Sequence, residues 1–268
     1  MKFIHLTDPH LTASDKLFTI DVSKRLEAAI SHIIKYNADA DLCMITGDLS
    51  HWGEHEAYST LKLLLNRLPM PWHGLLGNHD DRHILHTTLP QIPIDGNGFF
   101  QYTLRTKSGY FIVLDTVDPG SHHGVLCEKR LRWLRDQFNE IPQDSHIFLF
   151  LHHAPMISEI SGLDNIRLKN ADDLLNLINS SRPIQHIFFG HMHRTFHGSW
   201  HGIPFSTVKG TAHQVAPNFN KSAPLSGNLE MPAYAVVFIR NDGVFIHDIS
   251  FLEESTTFAY NSKADSGM

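Results

Sequence analysis

Five short apolar runs, each stopping at a cluster of Asp, Asn or His, constrain this chain more than any other feature. Residues 2–7 read as a strand and lead into Asp8 and His10. Residues 42–46 end in Gly47-Asp48, and residues 73–76 end in Gly77-Asn78-His79-Asp80. Residues 146–151 end in His152-His153, and residues 186–189 in Gly190-His191-Met192-His193. Between these runs the apolar residues take helical spacing, as in 17–36 with Val22, Leu26, Ala29, Ile30, Ile33 and Ile34. Residues 55–68, 128–138 and 171–178 read the same way. Strands alternating with helices predict an α/β fold, a sheet covered by helices. In such folds ligands gather at the carboxyl ends of strands, which is where these polar clusters fall.

Two regions break the alternation. Residues 99–104 and 110–114 form a hairpin-like pair around Ser108-Gly109, and after His193 the pattern is purely β. Asn241-Asp242-Gly243 between apolar runs is a strong hairpin signal. The expectation is two packed mixed β-sheets flanked by helices, an αββα sandwich. It forms a single domain over 1–268, with a β-rich C-terminal part at 194–251 and a flexible tail at 252–268. Residues 157–169 and 214–232 read as long loops.

Composition narrows the chemistry. Histidine, with 21 residues, nearly equals Lys and Arg together at 22, and it is the commonest metal ligand. A net charge of −6 argues against a binder of nucleic-acid polymers, which needs a basic face. No apolar run reaches the roughly 18 residues of a membrane span, so no membrane association is expected. The two cysteines, Cys43 and Cys127, make neither a disulfide framework nor a zinc cluster. With no leader-like apolar start, a reducing cytoplasm is the expected location.

Spacing within the clusters is informative too. Asp8 and His10 are two apart, so an extended backbone points both the same way, and His191 and His193 repeat that spacing. Gly47, Gly77 and Gly190 each precede a polar residue and let the backbone approach an ion closely. Eight N/O side chains, most of them ligands, suit two divalent ions of the Fe, Mn, Zn or Co type. A carboxylate shared by two ions would hold them about 3.5–4 Å apart, the separation used for in-line phosphoryl displacement.

Asp8-Pro9-His10, Gly47-Asp48, Gly77-Asn78-His79-Asp80, His152-His153 and Gly190-His191-Met192-His193 resemble, in order and spacing, the five signature blocks of the calcineurin-like metallophosphoesterases. Leu114-Asp115-Thr116, Pro119-Gly120, Gly124, Trp133-Leu134 and Gly210-Thr211-Ala212-His213-Gln214-Val215 resemble segments of class III cyclic nucleotide phosphodiesterases and bacterial glycerophosphodiesterases. The resemblance implies a calcineurin-like fold and a set of roles. Asp8, His10 and His193 would hold a first metal, and Asn78, His152 and His191 a second. Asp48 would bridge them, with a water or hydroxide as the other bridge and the attacking group. His79 would protonate the leaving oxygen or stabilise the transition state, and Asn78, His79 and His213 would contact the substrate. The implied activity is hydrolysis of small phosphodiesters, a 3′,5′-cyclic nucleotide or a glycerophosphodiester. Asp80 where the Ser/Thr protein phosphatases carry Glu, and no Val-Asp-Arg-Gly stretch after Asp48, tell against that branch.

Other readings stay open from sequence. A nuclease or phosphomonoesterase of the same superfamily, a lipid-precursor pyrophosphatase and a non-enzymatic scaffold are the alternatives, although a scaffold would tolerate loss of ligands that this chain keeps. The expected partner is a small-molecule phosphodiester. A homo-oligomer is expected, with residues 214–232 and the C-terminal strands as interface elements. On strand alternation His153 should point away from His152 and support it from behind. His122 and His123 read as solvated loop residues, Cys43 as inert core, and Arg130, Arg132 and Arg135 as a solvated helix face. Arg82 and Arg194 lie beside two of the blocks, with no direction assigned.

Overall fold

The computed structural model describes residues 1–252, so nearly all of the expected tail lies outside the described residues. The chain opens with β1 (Lys2–Leu6) and a tight hairpin of β2 (Lys16–Leu17) and β3 (Ile20–Asp21), which leads into α1 (Val22–Asn37). The Asp21 carboxylate caps α1 by accepting from the Lys24 N–H at 3.0 Å, a contact worth about 1 kcal/mol. Next come β4 (Leu42–Thr46), α2 (His55–Leu65), β5 (Trp72–Leu75) and α3 (Arg82–Thr88). They are followed by β6 (Tyr102–Thr106), β7 (Gly109–Val113), α4 (Glu128–Glu140), β8 (Ile147–Leu151), α5 (Ser161–Asp164), α6 (Ala171–Ser181) and β9 (His186–Phe189). The remainder is β: β10 (Phe196–Trp200), β11 (Ile203–Thr207), β12 (Gln214–Val215), β13 (Gly227–Asn228), β14 (Ala233–Arg240) and β15 (Gly243–Ser250).

Two mixed sheets result. The first has the order β15-β14-β1-β4-β5 and the second β10-β11-β9-β8-β7-β6. In the first, β1, β4 and β5 run parallel, and β14 and β15 add on antiparallel. In the second, β7, β8, β9 and β11 run parallel, with β6 and β10 as antiparallel edges. Period-2 alternation divides the core. Phe148 and Phe150 of β8 join the core shared with the first sheet, while Ile147, Leu149 and Leu151 join a second core with α4 and α6. Between the sheets, Phe3 packs edge-on against Phe111, Phe150 and Phe188 at centroid distances of 5.4, 6.0 and 5.3 Å. Burying each such ring contributes about 1.5–3 kcal/mol. On the first sheet, α1 and α2 bury Leu26, Ile30, Ala57 and Leu61. The expected αββα sandwich is therefore present.

Local details differ from expectation where spacing carries no signal. Helix α1 starts at Val22 because residues 16–21 are spent on the hairpin. The loop expected at 157–169 contains α5, and the one at 214–232 contains β12 paired with β13. The predicted turn at Asn241-Asp242-Gly243 is there, with Arg240 opposite Gly243.

Candidate metal centre

The carboxyl ends of β1, β4, β5, β8 and β9 meet at one edge of the sandwich. Ligand-type atoms of Asp8, His10, Asp48 and His193 all lie within 4.8 Å of one another, and so do those of His152, His153 and His191. Asp48 links the two groups: its Oδ2 is 3.3 Å from His10 Nε2 and 3.4 Å from His152 Nε2. His193 Nε2 lies 3.6 Å from Asp8 Oδ1, and His152 Nε2 lies 3.2 Å from Asn78 Oδ1. All seven residues expected to hold metal are thus brought together, the histidines and both carboxylates buried.

The backbone is what aims them. Asp8, His10, Asp48, His191 and His193 have φ of 51°, 44°, 47°, 69° and 48°. Left-handed backbone is sparsely populated outside glycine and costs about 1–3 kcal/mol per residue. Its concentration on five expected ligands shows that the fold holds this edge in a shape that local preferences resist. It also corrects the pleat argument: Asp8 and His10 converge through two left-handed residues beyond β1, not through an extended strand. Gly47, at φ +94°, leaves room for the His152 imidazole, against which any Cβ would collide.

Hydrogen bonds then fix which ring nitrogen faces inward. His152 Nδ1 donates to the Thr46 carbonyl at 2.8 Å, His193 Nδ1 to the His213 carbonyl at 2.8 Å, and His191 Nε2 to the Ile166 carbonyl at 3.1 Å. Each neutral ring is left with a bare lone pair on its other nitrogen. The inner nitrogens of His152 and His191 face one another, and that of His193 faces His10. His193 Nε2 is 3.0 Å from His10 Nε2, and His191 Nδ1 is 3.2 Å from His152 Nε2. Lone pairs converging on two buried carboxylates are the donor set of a divalent cation site. Asp80 ties two blocks together, its carboxylate accepting from the N–H groups of Leu49, Ser50 and Gly77 at 3.1, 2.9 and 2.8 Å and from the Tyr58 hydroxyl at 3.0 Å.

Electrostatics agree. Burial pushes His10 and His191 well below the usual histidine range, which keeps them neutral and ready to bind. Burial opposes charge on Asp48, but His152 and His10 outweigh it and hold the carboxyl well below the usual range. Burial likewise opposes charge on His152, yet the Asp48 carboxylate pushes it up to about 9. Burial raises Asp8.

The expected substrate contacts sit on the rim. The half-buried His79 ring is 4.8 Å from His10 and its Nδ1 is 3.0 Å from the His51 carbonyl, while the His79 backbone N–H donates to Asp48 Oδ1 at 3.0 Å. The His213 ring is 4.3 Å from His193. Several sequence expectations change here. His153 does not point away: the strand ends at Leu151, and its ring lies 4.8 Å from His191 with Nδ1 2.7 Å from Thr116 Oγ1. His122 is exposed as expected, but its Nδ1 is 3.1 Å from Asn78 Nδ2, which turns Asn78 Oδ1 toward His152. Arg130 is not on a solvated face. It is buried and donates to the carbonyls of Asp115 and Val117. Arg82 forks onto the Asp115 carboxylate at 2.9 and 2.8 Å, and Arg194 is held by the Val215 carbonyl and Glu230. His51 was missed from sequence; its Nδ1 is 3.0 Å from His10 Nδ1, and its ring stacks on His79 at 4.6 Å. The His51-Trp52 pair after Asp48 was its only signal.

Comparison with known proteins agrees with this geometry. Residues 1–195 match the calcineurin-like phosphoesterase family, and the chain belongs to that family. The sequence is 37% identical over 262 residues to a protein of Rhodopseudomonas palustris named "Probable cyclic nucleotide phosphodiesterase", covering 97% of this chain and 96% of the relative. It is 29% identical over 237 residues to a "Probable glycerophosphodiester phosphodiesterase" of Arcobacter nitrofigilis, covering 87% and 86%. A crystal structure of a dimetal phosphatase from Danio rerio superposes with a TM-score of 0.72 over 94% of this chain and 97% of that one. At 13% identity that likeness is one of fold.

Proposed function

We propose that this protein is a dinuclear metal-dependent phosphodiesterase acting on small diesters of the 3′,5′-cyclic nucleotide or glycerophosphodiester type. The observation that carries the reading is the convergence of buried Asp8, His10, Asp48, His152, His191 and His193 with Asn78 beside them, the inner nitrogens of His152, His191 and His193 set by carbonyls behind their rings. In this reading Asp8, His10 and His193 hold one ion, Asn78, His152 and His191 the other, and Asp48 both. Two divalent ions of the Fe, Mn, Zn or Co type held there would polarise a phosphoryl oxygen and supply the hydroxide for in-line displacement. His79 has its Nδ1 committed to the His51 carbonyl, so Nε2 is the nitrogen left to exchange a proton with the leaving oxygen. Asn78 and His213 border the same space and orient the phosphate. The names of the two relatives support the two substrate types.

Diesters fit better than monoesters. A monoester dianion calls for arginines that clamp its extra charge. Arg82 and Arg194, the arginines beside the signature blocks, are committed to Asp115 and Glu230 instead. The same reading takes residues 1–268 as one domain working in a reducing cytoplasm, consistent with free Cys43 and Cys127. Among the described residues no helix is long and apolar enough to cross a membrane. Assembly into a homo-oligomer through the 214–232 segment, where Phe219 and Leu225 are exposed, belongs to this proposal as well. The test is kcat/KM for bis-p-nitrophenyl phosphate against p-nitrophenyl phosphate after metal reconstitution. The diester should be favoured by at least about tenfold, or ~1.4 kcal/mol. A reversed ratio would place the protein among phosphomonoesterases.

A further inference from the structure

The hairpin of β2 and β3 pairs Lys16 with Asp21 and Leu17 with Ile20, which leaves Phe18 and Thr19 as its two-residue turn. Phe18 has φ +54° and is 72% exposed. A two-residue turn with a left-handed first residue favours glycine there, and a bulky ring in that conformation is a backbone outlier. An exposed phenyl also gains nothing from burial. Two unfavourable features on one residue point to a role outside folding. The Phe18 ring stands 5.2 Å from the His213 ring, nearly perpendicular to it at 80°. His213 in turn lies 5.3 Å from the His10 ring, so Phe18 is one ring removed from the metal centre. Phe18, Thr19, His213, Gly227, Asn228 and Leu229 line a cleft of about 320 Å³. His213 Nδ1 is buried beside it without a hydrogen-bond partner among the described residues.

We propose that Phe18 is a stacking platform for a planar heteroaromatic group on the substrate, so that the site takes diesters of the nucleotide type over those of the glycerophosphodiester type. This rests on the phosphodiesterase reading above. With the phosphate at the metal centre, the cleft is where the rest of the diester extends. A base presents a π face to Phe18, and aromatic stacking of this kind is strong and tolerant of base identity. A glycerol or ethanolamine group has no such face and gains little from the ring. The unpartnered His213 Nδ1 offers a polar contact between phosphate and base.

Phe18→Gly and Phe18→Tyr test this in the reconstituted protein, with kcat/KM for 3′,5′-cyclic AMP and for glycerophosphoethanolamine. Phe18→Gly should lose about tenfold or more on the cyclic nucleotide, mainly through KM. It should be unchanged on glycerophosphoethanolamine and melt no lower than wild type, because glycine relieves the turn. Phe18→Tyr should retain the wild-type ratio. Calorimetry gives a second reading: wild type should bind adenosine 5′-monophosphate about tenfold more tightly than ribose 5-phosphate, and Phe18→Gly should close that gap. An unchanged substrate ratio in Phe18→Gly, or equal binding of the two monophosphates by wild type, overturns the platform. A change in sedimentation with the ratio intact also overturns it, and assigns the ring to contact with a second copy of the chain. If neither diester is turned over while the monophosphate gap is present and closes in Phe18→Gly, the phosphodiesterase reading falls and the platform stands.

Discussion

At the scale of single residues, what a side chain can do here is set by the contact behind it. His79 has one nitrogen occupied by the His51 carbonyl at 3.0 Å, so the catalytic role proposed for it would fall on the other. If that nitrogen protonates the leaving oxygen, loss of the ring hurts most where the leaving group is poor. His79→Ala should lose ~10²–10⁴-fold on an alkyl diester and far less on bis-p-nitrophenyl phosphate. Equal losses on both, in steady-state kinetics, would assign the ring to charge stabilisation instead. His5 and His186 make a different point. They lie between the sheets, where His5 Nε2 meets Thr46 Oγ1 and His186 Nε2 meets Ser206 Oγ, each at 2.9 Å. Burial lowers His5 to about 3 and His186 to about 4, with His186 adding to the effect on His5. A base whose folded pKa is depressed binds protons preferentially in the unfolded chain. The associated stability is therefore fully present above pH ~6.5 and is lost as pH falls toward those folded values. The urea midpoint of wild type should drop between about pH 7.5 and pH 5, and that of His5→Gln by less. Equal drops would remove His5 as a contributor. Residues of this kind were invisible in the sequence: nothing around His5 distinguishes it from His10, and only the fold puts one between the sheets and the other at their edge.

Secondary-structure elements were legible where period and length were both on hand. β4 and β9 fall on the expected residues, and the β14–β15 turn on its Asn-Asp-Gly signal. Helix α3 was not read because Arg82–Thr88 carries too few apolar residues to establish a period. β12 and β13 pair across a dozen residues, which no local pattern encodes. The sequence placed the ligand blocks at strand ends but gave the wrong local reason, since the left-handed conformations come from packing around the edge. The stretch following β7 shows how such packing is secured. Asp115 is fully buried and receives Arg82 in a two-pronged contact, the Phe100 and Val117 N–H groups at 3.2 and 3.0 Å, and Arg130 at 3.5 Å. Removing one partner of such a pair strands the other charge in the interior. Asp115→Ala should cost about 3–5 kcal/mol of stability, read from the denaturant midpoint. A shift under about 1 kcal/mol would show that Arg82 and Arg130 find other partners.

At the scale of the whole molecule, two sheets share one apolar core and place their parallel strands so that the polar ends meet on one edge. The chain carries −6 overall, which makes it an unpromising host for an anionic substrate until the buried edge is considered. There, two carboxylates are outnumbered by imidazoles whose lone pairs point inward, and bound divalent ions would dominate the local field. In the proposed dinuclear site one bridging carboxylate would matter more than any other single group. Asp48 stands within 3.3 Å of His10 and 3.4 Å of His152, one from each ion's expected ligand set. The most direct test is the metal content of wild type and Asp48→Ala after reconstitution and gel filtration, measured by inductively coupled plasma mass spectrometry. Wild type should carry about two equivalents per chain, and Asp48→Ala should lose both because the bridge serves both sites. Two full equivalents retained in Asp48→Ala, or no more than one in wild type, would contradict the dinuclear account.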